Sequence, residues 1–194
     1  MSSRLALDHI VIAAETLAEG VDWLTARLGT PPLPGGKHPL MGTHNALWHL
    51  GAREYLEVIA IDPEAPAPSR PRWFGLDQFS GAPRLVAWVA RSSPLTAPEG
   101  STISEASRGD LSWRIAIPDS GVSAADGIAP LLIDWGDGPH PTSRMPEQSL
   151  RLTALTLSHP TPPALPLTDP RITVTTGPLG LSARIVSYQG EVSL

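Results

Sequence analysis

Two short apolar runs meet across two residues in the stretch 41–62, MGTHNALWHLGAREYLEVIAID. One covers 45–50, Gly51 and Ala52 follow, and the second covers 53–61. With so little chain between them, two such strands must pair antiparallel as a tight β-hairpin. Inside the second run Glu57 stands between Leu56 and Val58, in surroundings too apolar for a solvent-facing edge. A buried carboxylate needs a cation or a donor beside it. The fold must therefore bring a partner to Glu57 from elsewhere in the chain.

Proline restricts what that fold can be. It supplies 22 of the 194 residues, about twice its ordinary share of roughly 5%. Excluded from helix interiors and central strands, it must lie in connections between short elements. The chain is long enough for one domain, or for small repeated units sharing a core. At 41% apolar and 17% charged residues it has the composition of a folded protein, and no apolar run approaches the roughly 20 residues of a spanning helix. The start, MSSRLALDHIVIAAE, meets an acidic residue early in its apolar part and makes a poor secretory signal, so a cytoplasmic location is expected. The absence of Cys excludes disulfides and thiolate metal sites. A net charge of -5 without a basic stripe argues against nucleic acid as a partner. There is no Gly-rich phosphate loop, no GxSxG and no His pair at helical spacing, which disfavours phosphoryl transfer, serine hydrolysis, zincin chemistry and a nucleotide or organic cofactor.

Along the chain, 5–13 reads as a strand with His9 in its middle. Thr16 and Glu19 form a capping-box signal, and Leu17, Val21, Leu24 and Leu28 recur at helical spacing. Gly29 ends that helix, and Pro31 and Pro32 prevent its continuation. Residues 31–43 read as a loop with at most a short edge strand. After the hairpin comes a Pro-rich connector, 63–81, whose Trp73, Phe74, Leu76 and Phe79 suggest that it packs down on the fold. From Arg84 the pattern restarts: a strand over 84–90, no safe helix over 92–101, an alternating strand over 111–117 and a short strand over 131–135. In that last strand Asp134 stands where Glu57 stands in the hairpin. Strands over 149–158, 171–176 and 181–194 read as a third, incomplete copy.

A strand carrying a His, a helix, then strands ending in a carboxylate, repeated with decay, resembles the glyoxalase-like branch of the vicinal oxygen chelate superfamily. The likeness is carried by LDHIVIA (7–13), GTHNALWHLG (42–51) with EYLEVIAID (54–62), LIDWGDGPHP (132–141) and LRLTALTLSHP (150–160). It implies an α+β fold of repeated βαβββ modules of the glyoxalase/dihydroxybiphenyl dioxygenase type. The units would be 5–62, 82–135 and 149–194, the second and third lacking most of their helix. It also implies a cleft in which a divalent ion, Zn, Mn, Fe or Ni, is held by His9, Glu57 and Asp134. The fourth family position falls near Ala87 or Trp88, neither of which can ligate. The implied activity is that of an isomerase, lyase or dioxygenase acting on a carbonyl or oxygenated small molecule, with Glu57 as base.

His44, Asn45, Trp48, Tyr55, Trp88, Trp113 and His140 complete the candidate set as substrate-binding residues. Each has a plainer reading. Asn45 can serve the turn before its strand, the Trp residues can be core, His140 can be a surface-loop residue, and His9 can be a core histidine bonded to Glu57. A regular strand also puts His44, Ala46 and Trp48 on one face and Asn45, Leu47 and His49 on the other. The rival reading is a metal-free binding module whose aromatic cleft sequesters a hydrophobic ligand. A third is a homodimeric scaffold paired through a sheet edge.

Overall fold

The computed structural model describes residues 5–51, 53–166 and 168–194. Ala52, expected in the hairpin turn, and Leu167 lie outside the described residues. The first unit runs β1 (Ala6–Ala13), α1 (Leu17–Leu28), β2 (Leu33–His38), β3 (Thr43–His49) and β4 (Tyr55–Ile61). The hairpin pairs β3 with β4 antiparallel, setting Asn45 opposite Ile59 and Leu47 opposite Glu57. β1 returns to lie parallel against β4, and β2 adds to the far side of β3.

The second unit repeats this without a helix: β5 (Arg84–Arg91), β6 (Ser101–Arg108), β7 (Leu111–Pro118) and β8 (Leu131–Asp134). β5 and β8 are parallel, and β6–β7 and β7–β8 antiparallel. β1 pairs antiparallel with β5, so the two units join into one eight-stranded sheet of order β2-β3-β4-β1-β5-β8-β7-β6. The sheet curls until its edge strands β2 and β6 meet. The sequence reading does not contain β6; its residues STISEASR are mostly polar and carry no apolar alternation.

Helix α1 begins where Thr16 Oγ1 accepts the Glu19 N–H at 3.2 Å, and it ends at Gly29 (φ 68°), whose N–H reaches the Thr25 carbonyl at 2.8 Å. Its buried side, Leu24 and Leu28, shares the outer core with Trp48, Leu56 and Val58. The outer face of the second unit has no helix to cover it. A separate sheet of β9 (Arg151–His159), β10 (Ile172–Thr176), β11 (Gly180–Ser187) and β12 (Gly190–Ser193), in the order β10-β9-β11-β12, does so instead. Its Leu152, Leu155, Leu157, Ala183 and Ile185, with Leu150 just before β9, join the same core as Leu85, Trp88 and Ala90. The sequence reading makes 149–194 a partial third unit without its helix, and the strand pairing of this sheet differs from that of the first unit. In the module the first strand runs parallel to the last, whereas here it runs parallel to the second. The requirement met is burial of an apolar sheet face, and a different topology meets it.

The inner, concave face has its own core. Val11, Ala13, Ile59, Ala87, Val89, Leu131 and Ile133 line it from the strands. Trp73, Phe74 and Leu76, in a 3-10 turn of the Pro-rich connector, plug it, so that segment packs down as its aromatic residues suggest.

Candidate functional site

Residues that alternate inward on β4 and β3 set the site. Leu56 and Val58 belong to the outer core and Ile59 to the inner one, so Tyr55 and Glu57 face the concave side. On β3, Ala46 and Trp48 face outward, which turns Asn45 inward. β1 contributes through an irregularity: Leu7 opposes Ala90 while His9 opposes Val89, leaving Asp8 as the extra residue of a β-bulge. Leu7 and Ile10 both reach the outer core, and Asp8 and His9 are both turned inward to meet each other.

The resulting chain of groups is buried throughout. His9 Nδ1 lies 2.7 Å from Asp8 Oδ1, and its Nε2 lies 3.5 Å from Glu57 Oε2. The Tyr55 ring stacks on the imidazole at 4.4 Å. Asn45 Nδ2 donates to Glu57 Oε1, while its Oδ1 accepts the Gly36 N–H at 2.9 Å, which fixes the orientation of the amide. His38 Nδ1 lies 3.0 Å from Thr43 Oγ1, and its Nε2 lies 3.3 Å from Asn45 Nδ2. Behind the pair, Asp8 Oδ2 accepts from Trp135 Nε1 at 3.0 Å and from Arg91 at 3.2 Å, with His140 Nε2 at 3.1 Å.

Burial opposes every charge in this group, and the contacts overcome it at three residues. The Asp8 carboxyl would be pushed up by burial, but hydrogen bonds from His140 and His9 hold it well below the usual range. Burial alone would lower His9, yet hydrogen bonding and charge from Asp8 and Glu57 raise it. Glu57 is likewise pushed up by burial and brought down to about 2 by His9, His38 and Asn45. His38 is the exception: burial drives it down to about 4, against the pull of the Glu57 charge. The site is thus an imidazolium held between two carboxylates beside a neutral imidazole.

His9 and Glu57 open on a cavity of about 20 Å³, room for roughly one water-sized group. Trp73, Phe74, Trp113 and Trp135 enclose it together with Ile115 and Ile133, and Arg108 closes one side. Of the candidate residues, the cavity gathers His9, Glu57, Tyr55 and Trp113, with Asn45 bonded directly to Glu57.

The others lie elsewhere. Trp48 and Trp88 belong to the outer core, with indole N–H groups given to the Thr30 and Ile128 carbonyls. His44 alternates with Asn45 and shares the outward side of Trp48. His140 is buried rather than on the surface, but it sits behind Asp8 instead of on the cavity wall. Asp134 is turned away: Ile133 is the β8 residue facing the inner core, and the next side chain points outward to Arg114 at 2.5 Å and the Gly136 N–H at 3.0 Å. The inward positions of β5 and β8, Ala87, Val89, Leu131 and Ile133, are all apolar. Among the described residues no three His, Asp or Glu side chains are grouped to share an ion. The donor set does not fit a divalent metal held by His9, Glu57 and Asp134, and no chemical step is routed through one.

The sequence reading missed Asp8, His38, Arg108 and Trp73 as members of the site, and weighed Trp135 as cleft lining but set core packing ahead of it. Asp8 carried a signal, an acidic residue inside an apolar strand. His38 and Arg108 carried none, since one lies in a Gly/Pro-rich stretch and the other ends a polar edge strand.

The chain matches the family model described as a glyoxalase-like domain over residues 7–168. Among solved structures it is similar to a hypothetical protein from Staphylococcus aureus, with TM-score 0.56, 11% identity and coverage of 90% of this chain and 87% of that one. Methylmalonyl-CoA epimerase from Mycobacterium tuberculosis matches with TM-score 0.45 and 17% identity, covering 69% of this chain and 89% of that one. A hypothetical protein from Bacillus halodurans matches with TM-score 0.42 and 14% identity, covering 67% and 92%. A search among functionally curated proteins finds no significant match. At these identities the structural likeness speaks for the fold, whereas the family match covers most of the sequence. The chain belongs to the glyoxalase-like domain family of the vicinal oxygen chelate superfamily.

Proposed function

We propose that this chain is a small-molecule enzyme that moves a proton at a carbon next to a carbonyl group, an isomerase- or lyase-type reaction. The observation carrying the reading is the buried His9–Glu57 pair, 3.5 Å apart and open on an enclosed cavity. An imidazolium beside a carboxylate offers a donor for a carbonyl oxygen and an acceptor for the neighbouring C–H proton. Unliganded, the two satisfy each other, and Glu57 is a weak base at about 2. A carbonyl oxygen that takes the His9 proton donor removes the main contact lowering Glu57. Its basicity then rises where a base is needed. Asp8 holds the imidazole from behind, as a positioning residue.

The test is solvent deuterium exchange, followed by proton NMR, over a panel of 2-oxo acids, hydroxy ketones and 1,2-dicarbonyl compounds. At least one compound should exchange its α-proton in the presence of the protein, and Glu57→Gln should slow that exchange by about 100-fold or more. If no compound exchanges faster than in buffer, the reading is overturned. A second reading, a binding protein without chemistry, is favoured by the apolar inward positions of β5 and β8. It would show as ligand-induced shifts of the Trp113 resonances with no exchange.

A further inference from the structure

Arg108 is the residue that neither the candidate pair nor the fold accounts for. It ends β6 and is only 9% exposed. Among the described residues its guanidinium makes no hydrogen bond, ion pair or ring contact. Other buried or half-buried arginines of this chain are partnered: Arg91 with Asp8, Arg72 with Asp77, and Arg171 with Glu54 and Asp169. A buried cation without a counter-charge is costly. The chain also makes room for this one, because a Cβ at Gly36 would come within 2.7 Å of Arg108 Cγ. Gly36 of β2 thus lets the arginine stem cross the seam between β2 and β6.

At that seam Arg108 is shared by two spaces. One is the cavity of His9 and Glu57. The other is a groove of about 680 Å³ between residues 33–39, 108–111 and 141–146. The groove falls within the size of small-molecule sites, roughly 300–1,000 Å³. Leu33, Leu47, Leu111 and Met145 give it an apolar wall. Its other cations are already neutralised, Lys37 by Asp62 and Glu64 and Arg144 by Asp110. One unmatched buried positive charge on an apolar groove defines its complement, a single negative charge on an apolar body.

We infer that the groove binds an organic carboxylate, its acid group paired with Arg108 and its apolar body against Leu33, Leu47, Leu111 and Met145. As a statement about substrate, this rests on the reading above. A molecule so held directs a carbonyl end past Arg108 toward His9 and Glu57. As a statement about binding, it stands alone.

Isothermal titration of the full chain with octanoate, octan-1-ol and inorganic phosphate tests it, using wild type, Arg108→Gln, Arg108→Lys and Glu57→Gln. Octanoate should bind wild type at least about tenfold more tightly than octan-1-ol, the difference a charge-assisted hydrogen bond makes. Arg108→Gln should erase that preference, and Arg108→Lys should keep part of it. Glu57→Gln should leave octanoate binding within about twofold, so loss of the proton chemistry and loss of the anion site read out separately. Equal affinity for acid and alcohol, or a preference that survives Arg108→Gln, overturns the inference. Saturable binding of phosphate without octanoate overturns the assignment of a carboxylate. The variant should fold, because removing an unpaired buried charge takes nothing from a native contact. Thermal unfolding that falls sharply in both Arg108 variants would instead make the arginine structural.

Discussion

His9 Nδ1 lies 2.7 Å from Asp8 Oδ1, although neighbouring residues on a regular strand point to opposite faces. The bulge in β1 that makes this contact possible also lets Leu7 and Ile10 reach the outer core. Asp8 is fully buried and draws on Arg91, Trp135 and His140 as well. Its substitution Asp8→Asn should therefore cost on the order of 3 kcal/mol, the range for breaking a buried charge network. It should also move the His9 pKa back toward its ordinary value. Urea denaturation and an NMR titration measure the two effects. A loss below about 1 kcal/mol with His9 titration unchanged would show that Asp8 does not hold the imidazole.

Stability should depend on pH through His38. Its folded pKa is about 4 against an ordinary 6.5, because burial resists the imidazolium. The folded value lies below the unfolded one, so the contribution is present above pH 6.5 and is lost as pH falls through about 4. The loss is on the order of 3 kcal/mol, partly masked by His9, whose raised pKa makes its own contribution present at low pH and lost on the alkaline side. His38→Gln should flatten the acid limb between those values in denaturation curves taken at several pH values. An unchanged acid limb would mean that His38 titrates normally.

How far the sequence could be read follows from which features are local. The hairpin, the cap at Thr16, the stop at Gly29 and the alternation that sets Asn45 on the face opposite Trp48 depend on neighbours within a few residues, and those expectations stand. Asp134 looked like a second Glu57 because both are acids in apolar strands. Their difference is one step of alternation, set by the pairing of β8 with β7 and β5 rather than by composition. Trp48 and Trp88 were equally undecidable as cleft or core, since both faces of this sheet are buried and apolar content no longer marks one side. Asp8 was hidden by a bulge, and Arg108 by a seam joining residues far apart in the chain.

Asp134 provides a direct comparison of the two readings. As a metal ligand its loss would abolish function. As a buried residue turned to the other side of the sheet, bonded to Arg114 and the Gly136 N–H, it contributes to stability and not to the cavity. Asp134→Asn should leave deuterium exchange and octanoate binding unchanged and cost about 1–3 kcal/mol of stability. A loss of exchange comparable to that of Glu57→Gln would restore the second unit to the site.

Gly20 sits on the buried side of α1, where exchanging glycine for alanine ordinarily stabilises a helix by roughly 0.5–1 kcal/mol. Here the added Cβ would lie 2.5 Å from Val58 Cγ1 and 2.8 Å from Ala14 Cβ, distances at which something must shift. Val58 stands on β4 beside Glu57, with its backbone fixed by pairing on both sides. The helix must lift away or the strand must move, and overpacking of a core costs about 1–3 kcal/mol. Gly20→Ala should therefore lower stability, against its helix propensity. Because β4 carries Glu57, the substitution should also slow deuterium exchange. A stabilised Gly20→Ala variant would mean that the helix rides higher over the sheet than this packing has it.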